Sequence, residues 1–279
     1  MTKATSLPPT VEISASRTTA SEAAAKAAAE IIRNAVNSRG RARIMVGTGN
    51  SQLEMVGFLT AEREIDWSRV EAFHLDEYVG IEAKHPASFR QWIRTRFSDR
   101  VRPRVTHYLE GDALDLESML AEYSRQLNAA AVDLAFVGIG ENGHIAFNDP
   151  HVADFRDPLT VKRVTLDEAC RRQQVGEGHF ADTTTMPQEA VTVTCSGLFR
   201  ARHWICCVTD QRKAKAVKGS LEGPVTTACP GSLVQQHPSA ALYLDQESAS
   251  LLSPSFVQSS CWNHARNGNG NAPGRRVRL

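Results

Sequence analysis

Asn142, His144 and Asp149 set an amide, an imidazole and a carboxylate in one short stretch of this 279-residue chain. An imidazole with an ordinary pKa of about 6.5 can take and return a proton near neutrality, and an aspartate beside it stabilises the charged ring. The stretch directly follows Asp133-Leu134-Ala135-Phe136-Val137-Gly138-Ile139-Gly140. A short apolar run closed by glycines reads as a buried strand of a parallel sheet, and in open α/β sheets ligands bind just past the carboxyl ends of such strands. A single loop histidine is more often structural. This one is flanked by glycines and by acid or amide side chains where a small molecule should bind, and that points to function.

Three further stretches carry chemistry. Gly47-Thr48-Gly49-Asn50-Ser51 follows the short strand Ala42–Val46 and precedes a helix expected from about Gln52. Strand, glycine-rich turn and helix together offer backbone N–H groups and a positive helix end to an anion. No Gly-Lys-Ser/Thr follows, so this is not a Walker loop, and Ser51 with Glu54 also fits a helix capping box. Asp76 and Glu77 end the strand 70–75; adjacent side chains of an extended chain point to opposite sides, so only one of the two can face a shared site. Lys213 falls in the first turn of a helix after the strand 203–208, where a cation opposes the helix dipole, which points to an anionic partner.

The elements that must hold these residues are legible in outline. Residues 1–17 read as an extended lead-in and 18–252 as a single α/β domain. From Ser253 the composition turns to Asn-Gly repeats and a basic end, so 253–279 is expected to be a disordered tail. Thr19-x-x-Glu22 suggests a capping box for an Ala-rich helix that stops at Gly40. Pro86 is expected to open a helix with Trp92, Ile93 and Phe97 on its apolar side and Arg90, Arg94, Arg96 and Arg100 on a solvated face. Leu114 to about Ala131 has helical spacing, and strands are expected over 190–195, 203–208 and 240–245. Residues 151–187 are polar and aperiodic, a candidate lid beside the site. His237 is expected to be structural.

Composition narrows the partners. The formal net charge of +1 gives no reason to expect nucleic acid or a membrane as a partner. No apolar run reaches 18 residues, and the first residues lack a signal-peptide core, so a cytoplasmic protein is expected. The six cysteines form no Cys-x-x-Cys pair. They read as reduced, mostly buried thiols, with Cys206 and Cys207 on opposite sides of a strand. No metal and no cofactor are expected.

Gly138-x-Gly140-x-Asn142-Gly-His144-Ile-Ala-Phe-Asn-Asp149-Pro150 resembles the signature of the glucosamine-6-phosphate deaminases (isomerases), and Phe73-His-Leu-Asp76-Glu-Tyr-Val-Gly80 with His85-Pro-Ala-Ser-Phe89 resembles that family's second motif. Weaker similarity runs from about Arg43 to about Leu252. The related 6-phosphogluconolactonases share the Gly-His turn but usually lack the Phe-Asn-acid-Pro after it. The resemblance implies a Rossmann-like, mainly parallel sheet with helices on both faces. It also implies deamination and aldose–ketose isomerisation of glucosamine 6-phosphate to fructose 6-phosphate and ammonia. Asp76 would carry the C2 proton, leaving Glu77 structural, and His144, oriented by Asn142 and Asp149, would open the sugar ring. Thr48, Gly49, Asn50, Ser51, Gly138 and Lys213 would bind substrate; Gln211-x-Lys213-Ala214 before Glu222-Gly223 matches the pattern around the family's phosphate lysine. The family more often has aspartate at Asn142 and glutamate at Asp149. Its phosphate-binding lid arginine has no clear counterpart, with Arg171 and Arg172 the two available substitutes. Action on a related amino-sugar phosphate, lactonase activity and non-catalytic sugar-phosphate binding are the alternatives. The partner expected is a small amino-sugar phosphate, and the oligomeric state stays open.

Overall fold

The apolar runs assemble as one sheet in the structure, a computed structural model that describes residues 9–259. In chain order, β1 (Thr10–Ser14) leads into α1 (Arg17–Arg39), followed by β2 (Ala42–Val46), α2 (Asn50–Ala61), β3 (Val70–His74) and β4 (Asp76–Tyr78). The short α3 (Phe89–Ile93) and α4 (Asp99–Val101) precede β5 (Val105–His107), α5 (Leu116–Asn128) and β6 (Leu134–Phe136). Then come β7 (Val161–Thr165), α6 (Glu168–Gly176), β8 (Glu189–Val193), α7 (Cys195–Phe199), β9 (His203–Val208), α8 (Ala214–Glu222), β10 (Ala240–Asp245) and α9 (Pro254–Ser259).

Seven strands form a parallel sheet in the order β1-β10-β9-β6-β2-β3-β5. All of β2 is buried, as expected for a strand covered on both faces. One apolar layer joins the alanines of α1 and Met55, Val56 and Leu59 of α2 to the sheet; the other joins Leu120, Tyr123 and Leu127 of α5 and Val217 and Leu221 of α8. Cys206 lies in the second layer and Cys207 in the first, so the expected opposition of the two thiols holds. The chain runs from β2 outward through β3 to β5, then returns to place β6 on the other side of β2. That reversal opens a crevice past the ends of β2 and β6, the place where α/β sheets take ligands.

Several local expectations are corrected. The lead-in contains a strand, β1, paired in register with β10 (Val11↔Leu242, Ile13↔Leu244). α1 is capped by Ser16, whose hydroxyl accepts from Thr19 N while Thr19 Oγ1 accepts from Ser16 N; Thr19 is the third helical residue and not the cap. Gly40 does end α1, at φ 72°. Ser51 lies inside α2, which starts at Asn50 with no side-chain cap, so its capping box with Glu54 does not form. Pro86 sits in a turn, and α3 is capped by Ser88. Arg90 is buried against Asp112 at 2.6 Å and does not belong to a solvated face. The polar stretch 151–187 contains β7 and α6. Residues 189–193 pair antiparallel with β4 and β7 in a separate three-stranded sheet. Residues 254–259 of the expected tail form α9, with Phe256 and Val257 against the core; the rest of the tail lies outside the described residues.

Candidate active site

Four strand ends deliver side chains to one cleft of about 80 Å³. The β2–α2 turn supplies Thr48, Gly49, Asn50 and Ser51, and the start of β4, just past β3, supplies Asp76. The β6 turn supplies Gly138, Gly140 and His144, and the segment after β9 supplies Lys213. These nine residues come from four separate stretches of the chain and line one surface. Gly49, at φ 99°, takes a backbone conformation that side chains strain against. Ser51 Oγ lies 3.4 Å from the N, O and Oγ1 of Thr209, tying this turn to the end of β9.

Asp76 and Glu77 separate as extended geometry requires. Glu77 turns away from the cleft and accepts from Ser88 Oγ, from the backbone N–H groups of Phe89 and Arg90, and from that of Tyr78. It fastens the start of α3 to β4, which makes it structural. Asp76 faces the cleft, and no protein donor to its carboxylate is seen among the described residues. Burial, then the neighbouring Glu77 charge, pushes its pKa up to about 8.

His144 is held close to the turn that precedes it. A Cβ at Gly140 would lie 2.1 Å from the imidazole, so only glycine leaves room for the ring. His144 Nδ1 is 3.1 Å from Asp149 Oδ1: the shorter aspartate still reaches. Burial raises the Asp149 pKa, but the His144 contact and the donors from Asn142 and the Asp167 backbone outweigh it and hold the carboxyl below its ordinary value. Asn142 and Asp149 stand behind His144 and do not line the cleft. The Asn142 amide donates to Asp149 Oδ1 and to Asp167 Oδ2, both at 2.9 Å, and its oxygen accepts from His144 N. An aspartate at 142 would face two carboxylates, whereas an amide satisfies both, which accounts for asparagine here.

Sequence reasoning missed residues from α6 and its surroundings. Gln173, Gln174 and Glu177 line the cleft, with Gln52, Phe89 and Phe147. Glu177 Oε1 lies 3.3 Å from Lys213 Nζ, so the anionic partner expected of Lys213 is present, supplied by the protein. Burial raises the Glu177 pKa, but His179, Lys213 and Gln173 together pull it down to about 2. Neither arginine considered for the lid role lines the cleft: Arg171 donates to Thr183 O, and Arg172 pairs with Glu168 at 2.5 Å. Asp167, which the sequence reading did not single out, caps α6 by accepting from Cys170 N at 2.6 Å and donates its own backbone N–H to Asp149 Oδ2 at 3.1 Å. Two clusters among the described residues bring metal-type donors within 4.8 Å of one another: His144, Asp149 and Cys170, and Asp149, His151 and Asp167. In both, Asp149 already accepts from Asn142 and the Asp167 amide.

The fold and the cleft place the chain among α/β proteins that take a ligand past the carboxyl ends of a parallel sheet. Residues 15–243 match the family described as glucosamine-6-phosphate isomerases/6-phosphogluconolactonase, and the chain belongs to that family. It is 36% identical over 231 residues to a glucosamine-6-phosphate deaminase of Arthrobacter sp. (strain FB24), covering 81% of this chain and 87% of that one. It is 33% identical over 233 residues to a glucosamine-6-phosphate deaminase of Halothermothrix orenii, covering 81% and 95%. Among solved structures, a monomeric glucosamine-6-phosphate deaminase superposes with a TM-score of 0.79 at 25% identity, covering 86% of this chain and 99% of that one. A 6-phosphogluconolactonase from Trypanosoma brucei superposes at 0.72 with 18% identity, covering 89% and 100%, which shows the shared fold. Among the described residues, no helix is long and apolar enough to cross a membrane.

Proposed function

We propose that this protein converts glucosamine 6-phosphate and water to fructose 6-phosphate and ammonia. The observation that carries the reading is the convergence of Asp76, His144, the Thr48–Ser51 turn and Lys213 on one cleft. His144 moves the proton between the anomeric hydroxyl and the ring oxygen, which opens the pyranose. Asp76, as carboxylate, takes the proton from C2, leaving an enolamine, and returns it to C1 to give the ketose imine. Water adds to that imine carbon and ammonia leaves, so the atoms balance without an external oxidant or reductant. A base with a pKa of about 8 is matched to this work near neutrality. The anion-binding end fixes the sugar so that C2 meets Asp76, and such positioning supplies much of the rate.

We place the reaction in the cytoplasm. Cys170, Cys195, Cys206, Cys207 and Cys229 are all unpaired, which suits a reducing compartment. The test is to incubate purified protein with glucosamine 6-phosphate, galactosamine 6-phosphate and 6-phosphogluconolactone and to measure ammonia, ketose phosphate and free acid. Equimolar ammonia and fructose 6-phosphate from the first substrate are expected. Lactone hydrolysis needs no C2 proton transfer, so lactone turnover that survives Asp76→Asn, without ammonia release from either amino sugar, would overturn the reading.

A further inference from the structure

Lys213 is the one amine or guanidinium among the described residues lining the cleft, and it is already neutralised. The Glu177 carboxylate sits in a nest of donors: Gln173 Nε2 at 2.8 Å, Lys213 Nζ at 3.3 Å and, on its other oxygen, His179 Nε2 at 3.7 Å. His179 Nε2 is buried with no hydrogen-bond partner. Two cationic or potentially cationic nitrogens and an amide, converging on anionic oxygens, form a donor set that suits a phosphoryl group equally well. Glu177 stands between Gly176, the last residue of α6, and Gly178, which is at φ 83°. A Cβ at either glycine would meet nothing within 4 Å, so open space adjoins the chain on both sides of Glu177.

We propose that Glu177 is an internal anion that occupies the phosphate locus on Lys213 in the unliganded protein and is displaced by the phosphate of the substrate. This rests on the reading of the cleft as a sugar-phosphate site. The exchange follows from charge. A buried amine is costly when left unpaired, so Glu177 leaves Lys213 only when another anion arrives. A neutral sugar cannot make that replacement and finds the locus closed. Glu177 thereby sets specificity for an anionic substrate, and it lowers apparent phosphate affinity by the fraction of time it holds the site. Occupancy for nine-tenths of the time costs about tenfold.

The experiment measures inorganic phosphate binding by calorimetry to the wild type, Glu177→Gln and Lys213→Met, alongside turnover of glucosamine 6-phosphate. Glu177→Gln is expected to bind phosphate at least tenfold tighter and to lower KM for the sugar phosphate by a similar factor; Lys213→Met is expected to abolish phosphate binding. A crystal structure of the wild type with phosphate gives a second readout that needs no variant to fold: phosphate on Lys213 Nζ with Glu177 turned away. Unchanged or weaker phosphate binding by folded Glu177→Gln, or phosphate bound with the Glu177–Lys213 contact intact, overturns the proposal. If the wild type still turns over glucosamine 6-phosphate in that case, the internal-anion reading alone fails. Absence of both turnover and phosphate binding in every form removes the parent reading as well.

Discussion

A carboxyl group held at a pKa of about 8 stays protonated in the folded chain over a pH range where the unfolded chain has lost that proton. For Asp76 the range runs from its ordinary value of 3.8 up to about 8. The native state binds more protons there, so the contribution of this residue to stability falls as pH rises through the window and levels off above it. Asp76→Asn removes the titration. Its thermal midpoint is expected to gain on the wild type by several degrees more at pH 8.5 than at pH 4, while ammonia release is lost. A gain that is the same at both pH values would show that burial does not shift this group. In the wild type, kcat/KM is expected to rise with pH through an apparent pKa near 8. His144→Ala should lower turnover at least tenfold and leave inorganic phosphate affinity unchanged, because the role proposed for the ring is at the anomeric carbon and not at the phosphate. At this scale the sequence was informative where chemistry sits against glycines and strand ends, as at Asp76 and His144. It was silent on why residue 142 is an amide, since the reason is Asp167, which only the fold brings alongside.

Elements were legible where burial imposes a period. β2, β9 and β10 are short apolar runs, and α5 places Leu120, Tyr123 and Leu127 on one buried side. α6 had no such signal because its buried residues are Cys170, Gln173 and Gln174. A helix that turns glutamines toward a polar cleft has no apolar stripe to find. The antiparallel sheet of β4, β7 and β8 escaped for another reason: the β4–β8 pairing joins distant segments of the chain, Asp76 opposite Thr192 and Tyr78 opposite Ala190. Caps were misplaced where two hydroxyls compete, as at Ser16 and Thr19, because only backbone conformation selects the cap. The β6 turn gives the sharpest test at this scale. Gly140→Ala would put a methyl 2.1 Å from the His144 ring, so the imidazole must leave its place beside Asp149. Activity is expected to fall at least as far as in His144→Ala, while the far-UV circular dichroism spectrum stays that of the wild type. Full activity in Gly140→Ala would mean that the ring need not occupy this position.

Across the whole molecule, the residues proposed for proton transfer and those proposed for anion binding are supported by different elements. Asp76 and His144 come from β4, in the three-stranded sheet, and from the turn after β6, the middle strand of the seven. The Thr48–Ser51 turn reaches the sheet edge through a chain of contacts: Ser51 meets Thr209, Thr209 Oγ1 accepts from Arg17 Nε at 3.1 Å, and Arg17 starts α1 shortly after β1. β1 is anchored by its parallel ladder with β10 and by buried Ile13, whose side chain contributes about 1.5–3 kcal/mol. A chain beginning at Ala15 loses that ladder and that side chain and leaves β10 as a bare edge, which invites pairing with other chains. Three outcomes are expected of it: a lower urea midpoint, association that grows with protein concentration, and a KM for glucosamine 6-phosphate raised by a larger factor than kcat is lowered. The kinetic split is the telling measurement, because general destabilisation would reduce the active fraction and lower kcat with KM unchanged. A shortened chain with wild-type KM and reduced kcat would show that the sheet edge supports the fold alone and plays no part in holding the Thr48–Ser51 turn.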